Sequence, residues 1–217
     1  LVAYRLYERT DFNPLANPVL IAVLLLVALL AATATPYKTY FEGAQFVHFL
    51  LGPATVALAI PLYEQRAQLA RLALPLAAGL VAGVLTAVLS AVGIAWLLGA
   101  SRETVLSLAP KSVTTPIAMG IAEKIGGLPS LTAVLVILTG MTGAVIARPL
   151  LNLLRIQSPA TRGFALGVAS HGIGTARAFQ VSEEAGAFAG LAMGLTALLT
   201  ALLAPLLPAL LQSAAAL

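Results

Sequence analysis

Apolar residues run along this chain in stretches of two kinds. Residues 19–34, 69–98, 130–154 and 185–211 are apolar without interruption, whereas residues 41–66, 102–125 and 159–181 are split near the middle by prolines, glycines or polar residues. Three of the uninterrupted stretches exceed the roughly 20 residues that cross a bilayer as a helix. An interrupted segment followed by an uninterrupted one occurs three times. Gly52, Lys111 and His171 mark the breaks at a spacing of roughly 60 residues, a weak internal repeat of the kind transporter folds carry. The pattern predicts an all-α polytopic membrane protein with discontinuous or re-entrant helices.

The breaks have physical causes. Pro53 follows Gly52, and Pro110 and Pro116 bracket Lys111, Ser112, Thr114 and Thr115; proline lacks an amide donor and clashes with the preceding turn. In the third break, residues 170–175 read Ser-His-Gly-Ile-Gly-Thr, where Gly172 and Gly174 admit unusual backbone angles or the close approach of a ligand. At the end of the first stretch, Pro36 is followed by Tyr37, Lys38 and Tyr40, an aromatic and basic cluster suited to a membrane interface.

Composition strengthens the membrane reading. Of 217 residues, 60% are hydrophobic and 9% charged, with a mean hydropathy of +0.99; a soluble domain carries about 25% charged residues. The absence of cysteine excludes a disulfide framework, a thiolate nucleophile and Cys-ligated metal. The net charge of +4 is spread over helix ends and forms no basic face, so nucleic acid is not an expected partner. Residues 1–14 lack the parts of a signal peptide and read as the charged tail of a helix begun earlier, in a chain trimmed at its N-terminus.

The positive charges also order the spans. Placing Arg5 and Arg9, Arg66 and Arg71, and Arg148, Arg155 and Arg162 in the cytoplasm satisfies the positive-inside rule. Residues 102–125 then begin and end outside, as a re-entrant hairpin whose arms of about ten residues reach the midplane. Residues 159–181 enter from the cytoplasm and return. Residues 101–155 and 156–217 become two inverted-topology units carrying the site, with residues 1–100 as a scaffold or oligomerisation part containing one broken helix. The alternative is that each interrupted segment is a kinked full span.

The tips hold the chemistry. A charge such as Lys111 at bilayer depth costs at least ~2.5–3.5 kcal/mol and calls for a reason; anion binding is one, snorkelling or a carboxylate partner the other. Thr115 fits an N-cap and Pro116 a first helical residue, so a half-helix should aim its amides and positive dipole end into the break. Ser112 adds a hydroxyl. His171 suits anion binding or titration in a proton-coupled cycle, or else ties the two arms together, and Thr175 fits the cap of the half-helix that follows. Arg177 either faces the cavity or pairs with Glu183 or Glu184. The chain has no phosphate loop, paired carboxylates or HExxH motif, so neither an enzyme nor a metal cofactor is expected; coupling to protons or cations stays open.

Three segments carry a family resemblance: residues 53–65 (PATVALAIPLYEQ), 108–127 (LAPKSVTTPIAMGIAEKIGG) and 167–178 (GVASHGIGTARA). With these the chain resembles, over essentially its whole length, the family named after LrgB and CidB, which includes the plastid glycolate/glycerate translocator. The resemblance implies movement of glycolate, glycerate or similar small 2-hydroxy monocarboxylates across a membrane, here a bacterial inner membrane. It also implies an alternative, since bacterial members are described as regulators of murein hydrolase export and lysis that work with a small holin-like partner. Lys111, Ser112, Thr114, Thr115, Ser170, His171, Gly172 and Thr175 fall in the matching motifs; Gly174 and Arg177 complete the expected carboxylate site. A homo-oligomer, with a dimer favoured, is expected on general grounds. Members usually have a further hydrophobic helix before the position of Leu1.

Overall fold

The computed structural model describes residues 2–10, 18–50, 53, 56–57 and 59–215. Among these the chain is helical, with turns between helices and no strand. It divides into two compact units, residues 1–60 and 61–217. The first holds α1 (Val2–Arg9), α2 (Pro18–Ala32) and α3 (Tyr37–Phe49). At the start of α3 the rings of Tyr37 and Phe41 stack with centroids 5.9 Å apart, within the expected aromatic cluster. The expected break at Gly52 lies outside the described residues. A short helix, α4 (Ala59–Glu64), sits where the units divide.

The second unit is built on three long apolar helices. They are α5 (Arg66–Leu97), α8 (Pro129–Leu153) and α10 (Glu183–Leu203), the last running on through a 3₁₀ turn into α11 (Leu207–Ala215). Each is long and apolar enough to cross a membrane, yet only 11–22% of each apolar window is buried inside the protein. So much exposed hydrocarbon is stable only against lipid.

Between these helices lie the two broken segments. The first comprises α6 (Arg102–Leu108), a run of turns, and α7 (Thr115–Ile125). It doubles back, because the chain leaving α7 returns to the end of α6. Ser107 Oγ accepts from the Leu128 amide at 2.7 Å, and the Ser107 carbonyl accepts from Thr132 Oγ1 at 3.1 Å. That carbonyl is one of those a helix end leaves without a partner. Gly126, at φ +89, ends α7 in the left-handed cap that favours glycine.

The second broken segment is α9 (Pro159–Val181), whose backbone leaves the helix at Ser170 (φ −132, ψ 16) and His171 (φ 42, ψ −135). The chain reverses there. Leu166 and Gly174, four residues either side of the turn, meet so closely that a Cβ on Gly174 would lie 2.7 Å from the Leu166 carbonyl oxygen.

Small residues let these elements approach. Gly163 and Gly167 of α9 lie against the carbonyls of Ala185 and Ala189 on α10 with no room for a Cβ, the packing that joins helices in lipid, where apolar surface alone supplies no driving force. Around Val84, α5 packs on Phe164 and Val168 of α9 and Phe188 of α10. Further along, Val92 and Ala95 pack with Val105, Leu106, Ile121 and Ile125 of the first broken segment. The second unit thus includes α5 together with the broken segments.

Polar contacts show which ends lie together. Gln68 donates to Glu184 at 2.8 Å and Arg162 to Asn152 at 2.7 Å, which gathers the starts of α5, α9 and α10 beside the end of α8. The Ser107 bonds gather α6 and the exit of α7 beside the start of α8. Ser107 is the tie that closes the first broken segment, since its Oγ also donates to the Glu103 carbonyl at 2.6 Å. Ser107→Ala should cost about 1–3 kcal/mol, read as a lower melting temperature of the detergent-solubilised protein.

Candidate functional site

The two breaks lie next to each other in the second unit. A Cβ on Gly172 would meet Thr114 Cγ2 at 4.0 Å and Met193 Sδ at 3.9 Å. Val113 packs with Ala118, with Val136 of α8 and with Ala197 of α10. The first break thus rests on α8 and α10 directly beside the second.

The second break is pinned by one hydrogen bond. His171 Nε2 lies 2.9 Å from the Val136 carbonyl, so that nitrogen carries the proton and donates. Val136 sits mid-helix, where its carbonyl is normally shielded by the side chain one turn on, because Cβ atoms tilt toward the helix N-terminus. That position is Gly140, and a Cβ there would come within 2.7 Å of the imidazole. Gly143, one turn further, leaves the space that Ser170 Oγ fills. The His171 backbone has the positive φ that favours glycine and costs a side-chain-bearing residue about 1–3 kcal/mol. Surrounding contacts must hold it, and the histidine ties the turn to α8 rather than to the other arm.

Each expected site residue can now be placed. Lys111 is half-buried, and its Nζ donates to Ser112 Oγ at 3.3 Å; no carboxylate pairs with it among the described residues. Ser112 is buried, and Thr114 and Thr115 are half-buried. The N-cap of α7 is Thr114, one residue before the expected Thr115, and Thr114 makes no side-chain capping bond. Pro116 brings no amide proton, so Thr115 and Ile117 supply the first amides of α7. Thr175 does not cap the half-helix after His171: its Oγ1 donates to the His171 carbonyl at 2.9 Å, one turn inside. Gly174 faces Leu166 of its own hairpin. Arg177 lies further along the returning arm and donates to Gln180 at 2.9 Å, while Glu184 receives Gln68.

Two buried hydroxyls, Ser170 Oγ and Thr196 Oγ1, have no hydrogen-bond partner among the described residues. Ser170 therefore is not bonded to the neighbouring His171, as a nucleophile and its base would be. Gly140, Gly143 and Met193, which lie against the second break, are positions that sequence reasoning missed. The Gly140-Met-Thr-Gly143 spacing inside an apolar helix was the available signal, since small residues mark close approach in membranes. A separate cavity of about 190 Å³ beside Ala109 is walled by Leu85, Leu89, Leu206 and Leu210 and reaches Thr200; its hydrocarbon walls offer little to an anion.

The three long apolar helices define an integral membrane protein, and one of its broken segments carries a lysine with no carboxylate partner among the described residues. The chain matches the LrgB-like family over residues 1–210, and it belongs to that family. It is 39% identical over 192 residues to the uncharacterized protein YwbG of Bacillus subtilis (strain 168), covering 88% of this chain and 85% of that protein. To the uncharacterized protein YxaC of the same strain it is 37% identical over 183 residues, 84% and 79% of the two chains. To the holin-like protein CidB of Staphylococcus epidermidis it is 31% identical over 179 residues, 82% and 78%. No solved structure matches it.

The fit of His171 against Gly140 yields a direct test. Gly140→Ala should lose about 1–3 kcal/mol through overpacking, read by thermal melting in detergent. Gly194→Ala, where an added methyl meets nothing within 4 Å, should lose nothing.

Proposed function

We propose that this protein is a secondary transporter of small 2-hydroxy monocarboxylates such as glycolate, glycerate or lactate. The observation that carries the reading is the junction of the two breaks, Thr114 against Gly172, with the ammonium of Lys111, three residues from Thr114, without a carboxylate partner among the described residues. An ammonium at that depth without a carboxylate partner is costly unless an anion completes it. The carboxylate sits between Lys111, the Ser112 hydroxyl and the first amides of α7, whose positive dipole end faces it. In this reading both broken segments are re-entrant hairpins of inverted topology. One enters from each side of the membrane, and alternating access comes from movement of this pair against the long helices.

The second reading is a pore-like or regulatory membrane protein of murein hydrolase export, acting with a holin-like partner. The relative named as a holin-like protein favours it. A carrier saturates and is inhibited by related acids, whereas a pore leaks many solutes in proportion to their concentration.

Lys111→Ala protein that inserts normally should lose glycolate uptake into proteoliposomes by roughly ten- to a hundredfold, the loss of a charged hydrogen bond. Uptake equal to that of the unaltered protein would remove Lys111 from the site. Topology is testable because the chain contains no cysteine, so single replacements report cleanly. Glu103→Cys and Lys124→Cys should be labelled from one side by an impermeant maleimide, Thr161→Cys and Gln180→Cys from the other. Opposite-side labelling within either pair would make that segment a kinked full span.

A further inference from the structure

We propose that the groove beside Ala109 holds one acyl chain of an anionic phospholipid, with the lipid phosphate at Arg102 and beside Trp96. None of the residues assigned to a transported solute takes part. The groove lies where α10 ends. Pro205 and Pro208 bring no amide donors, and the chain tightens there into a 3₁₀ turn, Ala204–Leu206, before α11. Opposite that turn α5 presents Val84, Leu85, Val88 and Leu89, and a cavity of about 190 Å³ is left between them. Its floor, with Val84, Ala109 and Ala204, is buried, whereas the rim residues Leu85, Leu89, Leu206 and Leu210 are 39–59% exposed. The cavity therefore opens sideways, along the flanks of helices long and apolar enough to cross a membrane.

The walls select the tail. Leucine, valine and alanine give water no hydrogen bonds, and an apolar cavity stays dry and admits apolar guests. Left unfilled, it forgoes the dispersion contacts of its lining. On the open side of this groove the apolar guest at hand is an acyl chain. Ala109 caps α6 immediately before the first break, so a chain lying against it braces that break from the α5 side.

The end of α5 places the headgroup. Leu89 lies about 12 Å from Leu97 along the axis, at about 1.5 Å per residue, and much further from Arg66. The tail therefore enters from the Leu97 end. Trp96, 47% exposed, stands seven residues past Leu89 and in line with it at about 100° per residue; tryptophan favours the headgroup level. Arg102 opens α6 just beyond. It shares a helix face with Ala109, seven residues on, and lies about 10 Å nearer that end. Arg102 is exposed, and the adjacent Glu103 carboxylate is held chiefly by its own amide and by Ser101, least by Arg102. The guanidinium is thus left for a phosphate, which it matches with two parallel hydrogen bonds.

The experiment titrates the delipidated full chain in detergent with phosphatidylglycerol, or with phosphatidylcholine of the same tails, and reads the melting temperature. Saturating phosphatidylglycerol should raise it by about 5 °C. Half of that rise should need about fivefold less phosphatidylglycerol than phosphatidylcholine. Arg102→Gln should erase the difference between the two lipids. Ala204→Leu, or Val88→Leu from the opposite wall, should fill the groove and abolish the response to both. A folded groove-filling variant that responds like the unaltered protein overturns the proposal, and Arg102→Gln that still prefers phosphatidylglycerol overturns the headgroup assignment. Unaltered protein that ignores both lipids overturns the whole. So does a melting temperature that climbs with protein concentration and not with lipid, which puts a second copy of the chain in the groove.

Discussion

A carbonyl left bare by a glycine organises this protein. Val136 lies within α8, where the carbonyl already serves the helix, and only the missing side chain at Gly140 lets the His171 imidazole reach it. Within a membrane, backbone that departs from the helix must be satisfied by protein or line a water-filled cavity. The reversal at Ser170 and His171 meets that demand by leaning on α8, and the positive φ of His171 is held by the same contact. Once His171 is fixed on α8, Gly172 is turned toward Thr114, and Gly174 toward Leu166. The arms that follow are held by glycines of the first arm against alanines of α10.

The first broken segment solves the same problem by different means. Its unwound chain is long enough to close its own turns, as in the bond from the Val113 amide to the Pro110 carbonyl at 3.0 Å. Prolines set the limits, and Ser107 secures the open end. Because that segment carries the ammonium and the first amides of α7, its tip is the electropositive one. The tip of the second, with a neutral hydroxyl and an imidazole already engaged, is not. The two breaks are thus alike in outline and unlike in chemistry.

How much of this was legible in the sequence follows from what lipid demands. Residues 69–98, 130–154 and 185–211 were read as spans and correspond to Arg66–Leu97, Pro129–Leu153 and Glu183–Ser213, because a bilayer imposes length and apolarity directly. The breaks were legible because proline, glycine and Lys111 are conspicuous against such a background. Caps were read less well: Thr114 replaces Thr115, and Thr175 bonds back to His171, since both segments offer several hydroxyls within a turn. The receiving surface was not legible. A helix apolar on every side has no polar face to show which side packs inward, so only the close spacing of Gly140 and Gly143 hinted at that surface. Their roles appear only when the tips are set against α8 and α10.

The arrangement also bears on how a solute would cross. The two broken segments lie side by side between the long helices, where Val113, Val136 and Ala197 pack together. A standing pore would need those contacts absent; a carrier needs them only to part on one side at a time. Each tip is held to the long helices by a few specific contacts, the His171–Val136 bond and the Val113 cluster among them, so each can yield without unfolding its neighbour. A ligand held at Lys111 would change the energy of that parting, because it would replace contact between the segments with contact through itself. Coupling between occupancy and movement is what distinguishes transport from leakage, and here it would arise from the same few residues that close the centre.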